Sequence, residues 1–251
     1  LILVNIYVIK NNGFDNRYFL DKINLDNGFY LKERQKYNSK EKISSFEVNK
    51  KKKILIIGNS HGQDTFNIFK LNEELFTEYQ FSRIGVEIFC LESFLIDKTF
   101  CNEKVDQTHL NNFANSDVIV LSTRWRDLDK EKLEKILINL KKSDKKIILT
   151  TAAPEFKTFG RFTMIDKFIL SNGRLPNENE IIKYKKKYYN SYINNKSINS
   201  TNKFLKLLAM KNNVRILDKE LYLCNHEEKI CEIFTNNGEK INFDRDHYTI
   251  A

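Results

Sequence analysis

Five short β-branched runs impose the strongest constraint on how this chain folds: "KILIIGN" (53–59), "GVEIFCL" (85–91), "DVIVLST" (117–123), "KIILTTA" (146–152) and "VRILD" (214–218). Each is bounded by polar or glycine residues and contains a continuous apolar stretch. Strands buried on both faces read this way, whereas a half-exposed strand alternates. Helical patterns lie between the runs. "DLDKEKLEKILINLKK" (127–142) places Leu133, Ile136, Leu137 and Leu140 on one face with charges opposite. "DTFNIFKLNEELFTEY" (64–79) is a second helix, and a third stretch spans about 178–210 with a break expected near "NNKSINST" (194–201). Strands alternating with helices predict an α/β protein, a three-layer α/β/α sandwich around a mostly parallel five-stranded sheet.

The chain has 251 residues, enough for a full core, with 41% hydrophobic residues, two Pro and eight Gly. Residues 10–50 are weakly periodic and read as a connector with one short helix. The net charge of +9 resides partly in "KKKK" (50–53) and "KYKKK" (183–187), and otherwise alternates with acids along helices. No zinc-finger spacing, RNP motif or Arg-rich arm accompanies it, so nucleic acid is not the expected partner. Solvated surface, an acidic glycan or anionic headgroups account for the charge. The opening "LILVNIYVI" is too short to span a bilayer, which needs about 20 residues. By itself it reads either as a strand or as the tail of a membrane helix. The four cysteines form two local pairs, Cys90 with Cys101 and Cys224 with Cys231, without the spacing of zinc sites. Two disulfide loops and four core thiols are both compatible with that spacing.

Ligands of open parallel sheets bind at the carboxyl ends of strands, where strand order reverses. Ser60 stands at such an end, just before a helix, where its amide favours a developing oxyanion. "GNSHG" (58–62) matches the loose G-x-S-x-G pattern, yet its position on the first strand argues against the α/β-hydrolase fold. A serine nucleophile needs a base, and the base needs an orienting carboxylate. The chain has four histidines. His61 adjoins the serine, so its ring projects away from the Oγ, and His109 and His226 lie in polar, loop-like surroundings. His247 follows Asp244 by three residues, a spacing that lets the carboxylate bond Nδ1 and leave Nε2 for Ser60. A turn serine with an unrelated surface histidine is the plain alternative.

"ILIIGNSH" on the first strand and "DRDH" after the last resemble the SGNH hydrolase superfamily. The closer resemblance is to the SGNH domain fused behind the membrane acyltransferase-3 domain in bacterial surface-glycan O-acetyltransferases. Its motifs have counterparts in "GNSH" (58–61), "STRW" (122–125), "APEF" (153–156) and the Cys224/Cys231 pair before "DRDHYT" (244–249). Cys90 and Cys101 resemble that family's earlier cysteine pair. The resemblance covers about residues 53–249. It implies Ser60 as nucleophile, His247 as base, Asp244 as its orienter, and two disulfides in an extracytoplasmic, periplasmic domain. It also implies a surface glycan acceptor, an acyl donor delivered by an upstream membrane acyltransferase-3 domain, and no cofactor or metal. Residues 1–50 then become a juxtamembrane tail and linker, and 51–251 the acyl-transfer domain.

Two departures bear on the oxyanion hole. Asn59 stands where the family usually has Asp, and no G-x-N-D block occurs. Losing one oxyanion donor costs on the order of 100- to 1000-fold in rate. Candidate donors or substrate contacts are the Ser60 amide, Asn59, His61, Gly85, Arg124 and Trp125. Arg124 and Trp125 fit a stacked pair closing the sheet edge, and Trp125 fits a sugar platform equally well. The implied reaction is serine-dependent O-acetyl transfer to a surface polysaccharide. A carbohydrate esterase and a catalytically weak glycan-binding module are the alternatives.

Overall fold

The computed structural model describes residues 45–87, 90–97, 99–100, 103–125, 130–160, 162–235, 238, 240–242, 244–245 and 247–248. The opening apolar segment, most of the expected linker, and Cys101 lie outside them. The described residues divide into two units, one drawn from 40–154 and 196–222, the other from 155–195 and 223 onward.

The first unit is built on a five-stranded parallel sheet: β1 (Lys52–Gly58), β2 (Tyr79–Gly85), β3 (Val118–Leu121), β4 (Lys146–Thr150) and β5 (Arg215–Leu217). The spatial order is β2-β1-β3-β4-β5. Helix α1 (Ser60–Leu71) follows β1; α2 (Leu91–Asp97) and α3 (Gln107–Asn115) lie between β2 and β3. Between β3 and β4 runs α4 (Lys130–Lys141).

Register explains why the apolar runs are continuous. Ile54, Ile56, Phe81, Val118, Val120 and Ile148 share one face and pack with Phe66 and Phe69 of α1. Leu55, Ile57, Ile84, Ile119, Leu121 and Leu149 share the other and are fully buried. Helix α3 lies on that second face, since its Asn112 donates to Ser82 Oγ at 2.8 Å. The sheet is therefore flanked by helices on both sides, as expected. In α4 the four apolar positions read from the sequence are all buried. Removing one such side chain, as in Leu137→Ala, costs about 2–5 kcal/mol.

One strand differs from the expectation. The second strand is "YQFSRIG" (79–85), not 85–91, and α1 starts at Ser60 and ends at Leu71 instead of spanning 64–79. Gln80, Ser82 and Arg83 break the apolar run and disguise the strand. Ser82 and Arg83 are nonetheless buried, because α3 and α1 supply their hydrogen-bond partners.

The second unit holds α5 (Met164–Asn172) and α6 (Glu178–Ile193). The expected long helical stretch breaks at 194–195, and α7 (Lys196–Lys211) returns to the first unit ahead of β5. In the second unit Thr158–Phe159 pairs with Phe162–Thr163, and Cys224–Asn225 pairs with Ile230–Cys231. The latter hairpin carries the Cys224–Cys231 disulfide. Cys90 is also disulfide-bonded, while its expected partner lies outside the described residues. No helix among the described residues is long and apolar enough to cross a membrane.

Candidate active site

The chain runs from β1 to β2 in one direction across the sheet and then to β3 on the opposite side of β1. The loops leaving β1 and β3 therefore stand at the reversal of strand order, the place where ligands of open parallel sheets bind. "GNSHG" and "STRW" are those two loops.

Two glycines let the loops meet. A Cβ on Gly58 would sit 1.7 Å from the Ser122 carbonyl oxygen, and one on Gly62 would sit 2.9 Å from the same atom. Ser122 N in turn donates to Ile57 O at 2.9 Å. Ser60, exposed, is the first residue of α1. The Asn59 carbonyl accepts from Gly62 N at 2.9 Å and Gln63 N at 3.1 Å, and so points along the helix. A trans peptide sets the Ser60 N–H antiparallel to that carbonyl, out of the positive helix end.

Asn59 caps the helix. Its Oδ1 accepts from His61 N and from Arg124 N, both at 3.1 Å, and its Nδ2 donates to Glu87 Oε2 at 3.1 Å. One side chain thus ties α1 to the ends of β2 and β3. An aspartate could accept both amide bonds but could not donate to Glu87. The departure from the family's Asp therefore has a local partner that the sequence reading passed over.

The remaining candidates fall in different settings. Gly85 is exposed and pairs in register with Gly58, beside the serine turn. Arg124 is half-buried, with its backbone amide committed to Asn59. His61 and Trp125 are each 2% exposed. Trp125 accordingly packs inside the protein and presents no ring face to a sugar. His109 lies within α3 rather than in a loop, and burial lowers its pKa against the pull of Asp106. His226 lies in the disulfide hairpin, 3.2 Å from the Tyr189 hydroxyl.

In the second unit Asp244 and His247 are joined. Nδ1 of His247 lies 3.1 and 3.0 Å from the two carboxylate oxygens, and its backbone N–H donates to Oδ1 at 2.9 Å. A bonded Nδ1–H fixes the tautomer with Nε2 as the basic nitrogen. Isolated antiparallel bridges, Phe234 with Lys240 and Asn242 with Tyr248, and further cross-links hold the described part of this loop. Arg245 O accepts from Phe156 N of "APEF" at 3.0 Å, Asn242 Nδ2 donates to His247 O at 3.3 Å, and Ile241 N donates to Ile233 O at 3.1 Å. Just upstream, Lys240 Nζ meets Asp166 Oδ1 at 2.7 Å in a pair almost wholly out of water.

The first unit contains further polar groups that sequence reasoning missed. Arg83 Nη2 donates to the carbonyls of Gly58 (3.3 Å) and Asn59 (3.1 Å), and Nη1 to Gln63 Oε1 at 2.8 Å. Lys219, just after β5, is 3% exposed and reaches the same turn. A lone lysine in "LDKEL" carries no sequence signal of burial beyond its place at a strand's carboxyl end.

A parallel α/β protein with an exposed serine at its strand-order reversal and an Asp–His pair in a late loop is the class these features define. The family model described as "SGNH domain (fused to AT3 domains)" matches residues 29–251, and the chain belongs to that family. Membership places it among SGNH-type acyl hydrolases and acyltransferases. Among solved structures, a GDSL-like lipase from Bacteroides thetaiotaomicron is 13% identical, with a TM-score of 0.43 over 82% of this chain and 87% of that one. An acetyl-xylooligosaccharide esterase from Geobacillus is also 13% identical, with a TM-score of 0.38 over 70% of this chain and 82% of that one. No curated protein sequence matches significantly.

Proposed function

We propose that this domain transfers an acetyl group through Ser60 to hydroxyls of a cell-surface polysaccharide, on the extracytoplasmic side of a membrane. The observation that carries this reading is the exposed Ser60 at the N-terminus of α1, in a turn committed to its conformation by Gly58, Gly62 and Asn59. In the proposed cycle Nε2 of His247 takes the Ser60 proton as Oγ attacks the acetyl carbonyl. Asp244 holds the ring through Nδ1 and stabilises the imidazolium that forms. The Ser60 N–H, directed out of the helix end, faces the oxyanion. Collapse expels the donor, which takes the proton from His247 and leaves an acetyl-serine. His247 then deprotonates an acceptor hydroxyl, which attacks the ester and releases Ser60. A membrane acyltransferase-3 domain, the fusion partner in the family's description, would supply the acetyl group. Residues 1–50 would link to it.

The test is acetylation of the protein itself. Wild type, Ser60→Ala and His247→Ala are incubated with an activated acetyl ester and examined by intact mass and peptide mapping. The expected result is one acetyl group on Ser60 in wild type, none in Ser60→Ala, and a rate at least about 1000-fold lower in His247→Ala. Equal labelling of wild type and Ser60→Ala overturns the assignment. Adding oligosaccharide acceptors then separates transfer from hydrolysis by the product formed.

A further inference from the structure

The carbonyls on either side of Ser60 are held by buried cations. Arg83 takes those of Gly58 and Asn59. On the far side of Ser60, the carbonyl of His61 accepts from Lys219 Nζ at 3.3 Å, from Ser122 Oγ at 3.0 Å and from Thr65 Oγ1 at 3.1 Å. Lys219 Nζ also donates to Ser122 Oγ at 2.9 Å, and the Ser122 and Thr65 hydroxyls lie 2.8 Å apart. This cluster joins the first turn of α1 to the ends of β3 and β5, all within one unit.

A structural strut does not require a charge here. An ammonium taken from water loses hydration that neutral hydroxyl and carbonyl partners restore only in part, and an apolar side chain of similar volume is often as stabilising. Among the described residues, the carboxylate that acts on Lys219 is that of Asp64, also on α1. Behind it, Asp218 and Glu220 are engaged by Lys206 at 2.6 and 2.9 Å, and the buried His61 ring belongs to the same α1 turn.

We propose that Lys219 is a positioning residue for acylation of Ser60, its ammonium pinning the serine-bearing turn and lending positive charge beneath the developing oxyanion. The proposal rests on the reading that Ser60 accepts the acyl group.

Burial pushes the Lys219 ammonium down to about 8, with the Asp64 carboxylate acting in the opposite direction. Between that value and the ordinary lysine range, the unfolded chain holds a proton that the folded chain has lost. The contribution of this group to stability therefore rises with pH across the window. A positioning role predicts the reverse for the chemistry, since acylation slows as the ammonium deprotonates. The two trends diverge, which separates positioning from mere support of the fold.

The experiment uses the whole chain and p-nitrophenyl acetate, following Ser60 acetylation by intact mass from about pH 6 to pH 10, with the Ser60→Ala background subtracted. Melting temperature is measured in the same buffers for wild type, Lys219→Met and Lys219→Arg. Wild-type acylation is expected to fall about tenfold through the Lys219 titration while the melting temperature does not fall with it. Lys219→Met is expected to start about tenfold slower and to lack the alkaline fall, and Lys219→Arg to retain the rate at alkaline pH. An unchanged alkaline fall in Lys219→Met, or slowing that only tracks melting, overturns the proposal. Should the variants not fold, the wild-type profile decides: a flat acylation rate from about pH 7 to 9.5 overturns it, and a fall without melting supports it. Labelling of Ser60→Ala equal to wild type would instead sink the nucleophile assignment, a separate outcome.

Discussion

Asn59 shows how one substituted atom can reorganise a site. Its amide donates to Glu87 while its oxygen caps α1. In Asn59→Asp the cap survives, because Asp is as good an N-cap as Asn, but two carboxylates come within hydrogen-bond distance. The pair then holds a proton more tightly folded than unfolded, a raised carboxyl. The resulting penalty is absent at low pH and grows as pH rises through the raised value. Thermal denaturation of Asn59→Asp should accordingly show a stability deficit at neutral pH that closes toward about pH 4. Adding Glu87→Gln should remove the deficit, and an equal deficit in single and double variants would refute the pairing. Gly58 makes a harder demand. Gly58→Ala forces a Cβ into the Ser122 carbonyl, and a loss of about 3 kcal/mol in denaturant unfolding is expected.

At the scale of elements, the two loops that bear the candidate residues are stabilised by different means. The serine turn is regular, a strand followed at once by a capped helix; the strand was legible in "ILIIGNSH", whereas the helix was expected only from residue 64. The Asp244–His247 loop depends on side-chain links, among them the Lys240–Asp166 pair. Lys240→Met leaves the Asp166 carboxylate buried without its cation, and a cost of about 3–5 kcal/mol by chemical denaturation is expected. Asp166 also accepts from the backbone and hydroxyl of Thr163, both at 2.8 Å, so the start of α5 should loosen as well. Helix α6 carries a half-buried counterpart at its N-terminus. The Arg174 side chain, with the Asn177 backbone amide, holds Glu180 down to about 2. A depressed carboxyl stabilises above its unfolded value and loses that contribution as pH falls toward the folded one. Glu180→Gln should therefore flatten the acid limb of the melting profile between about pH 4.5 and 2. The one strand misplaced in sequence, β2, fails for a physical reason. Ser82 and Arg83 look solvated until α3 and α1, distant in the chain, are folded against them. Periodicity carries no trace of partners in other elements.

For the whole molecule, sheet class and the Asp244–His247 pairing could be read from residue order, because each depends on local pattern or short spacing. The buried cations under the serine could not, since Arg83 and Lys219 become neighbours of one turn only through the sheet order. The division into units has a consequence for synthesis. The Ser60 unit is not contiguous: β5 and Lys219 are translated after the whole of α5 and α6. On the ribosome, the emerging chain exposes its serine while the sheet lacks its edge strand and its buried ammonium, and before any of 223 onward exists. A nascent chain arrested before residue 223 thus displays Ser60 without Asp244 or His247. Under the proposed roles of Asp244 and His247, acylation of Ser60 would wait for the last-made segment, by the order in which the segments are made.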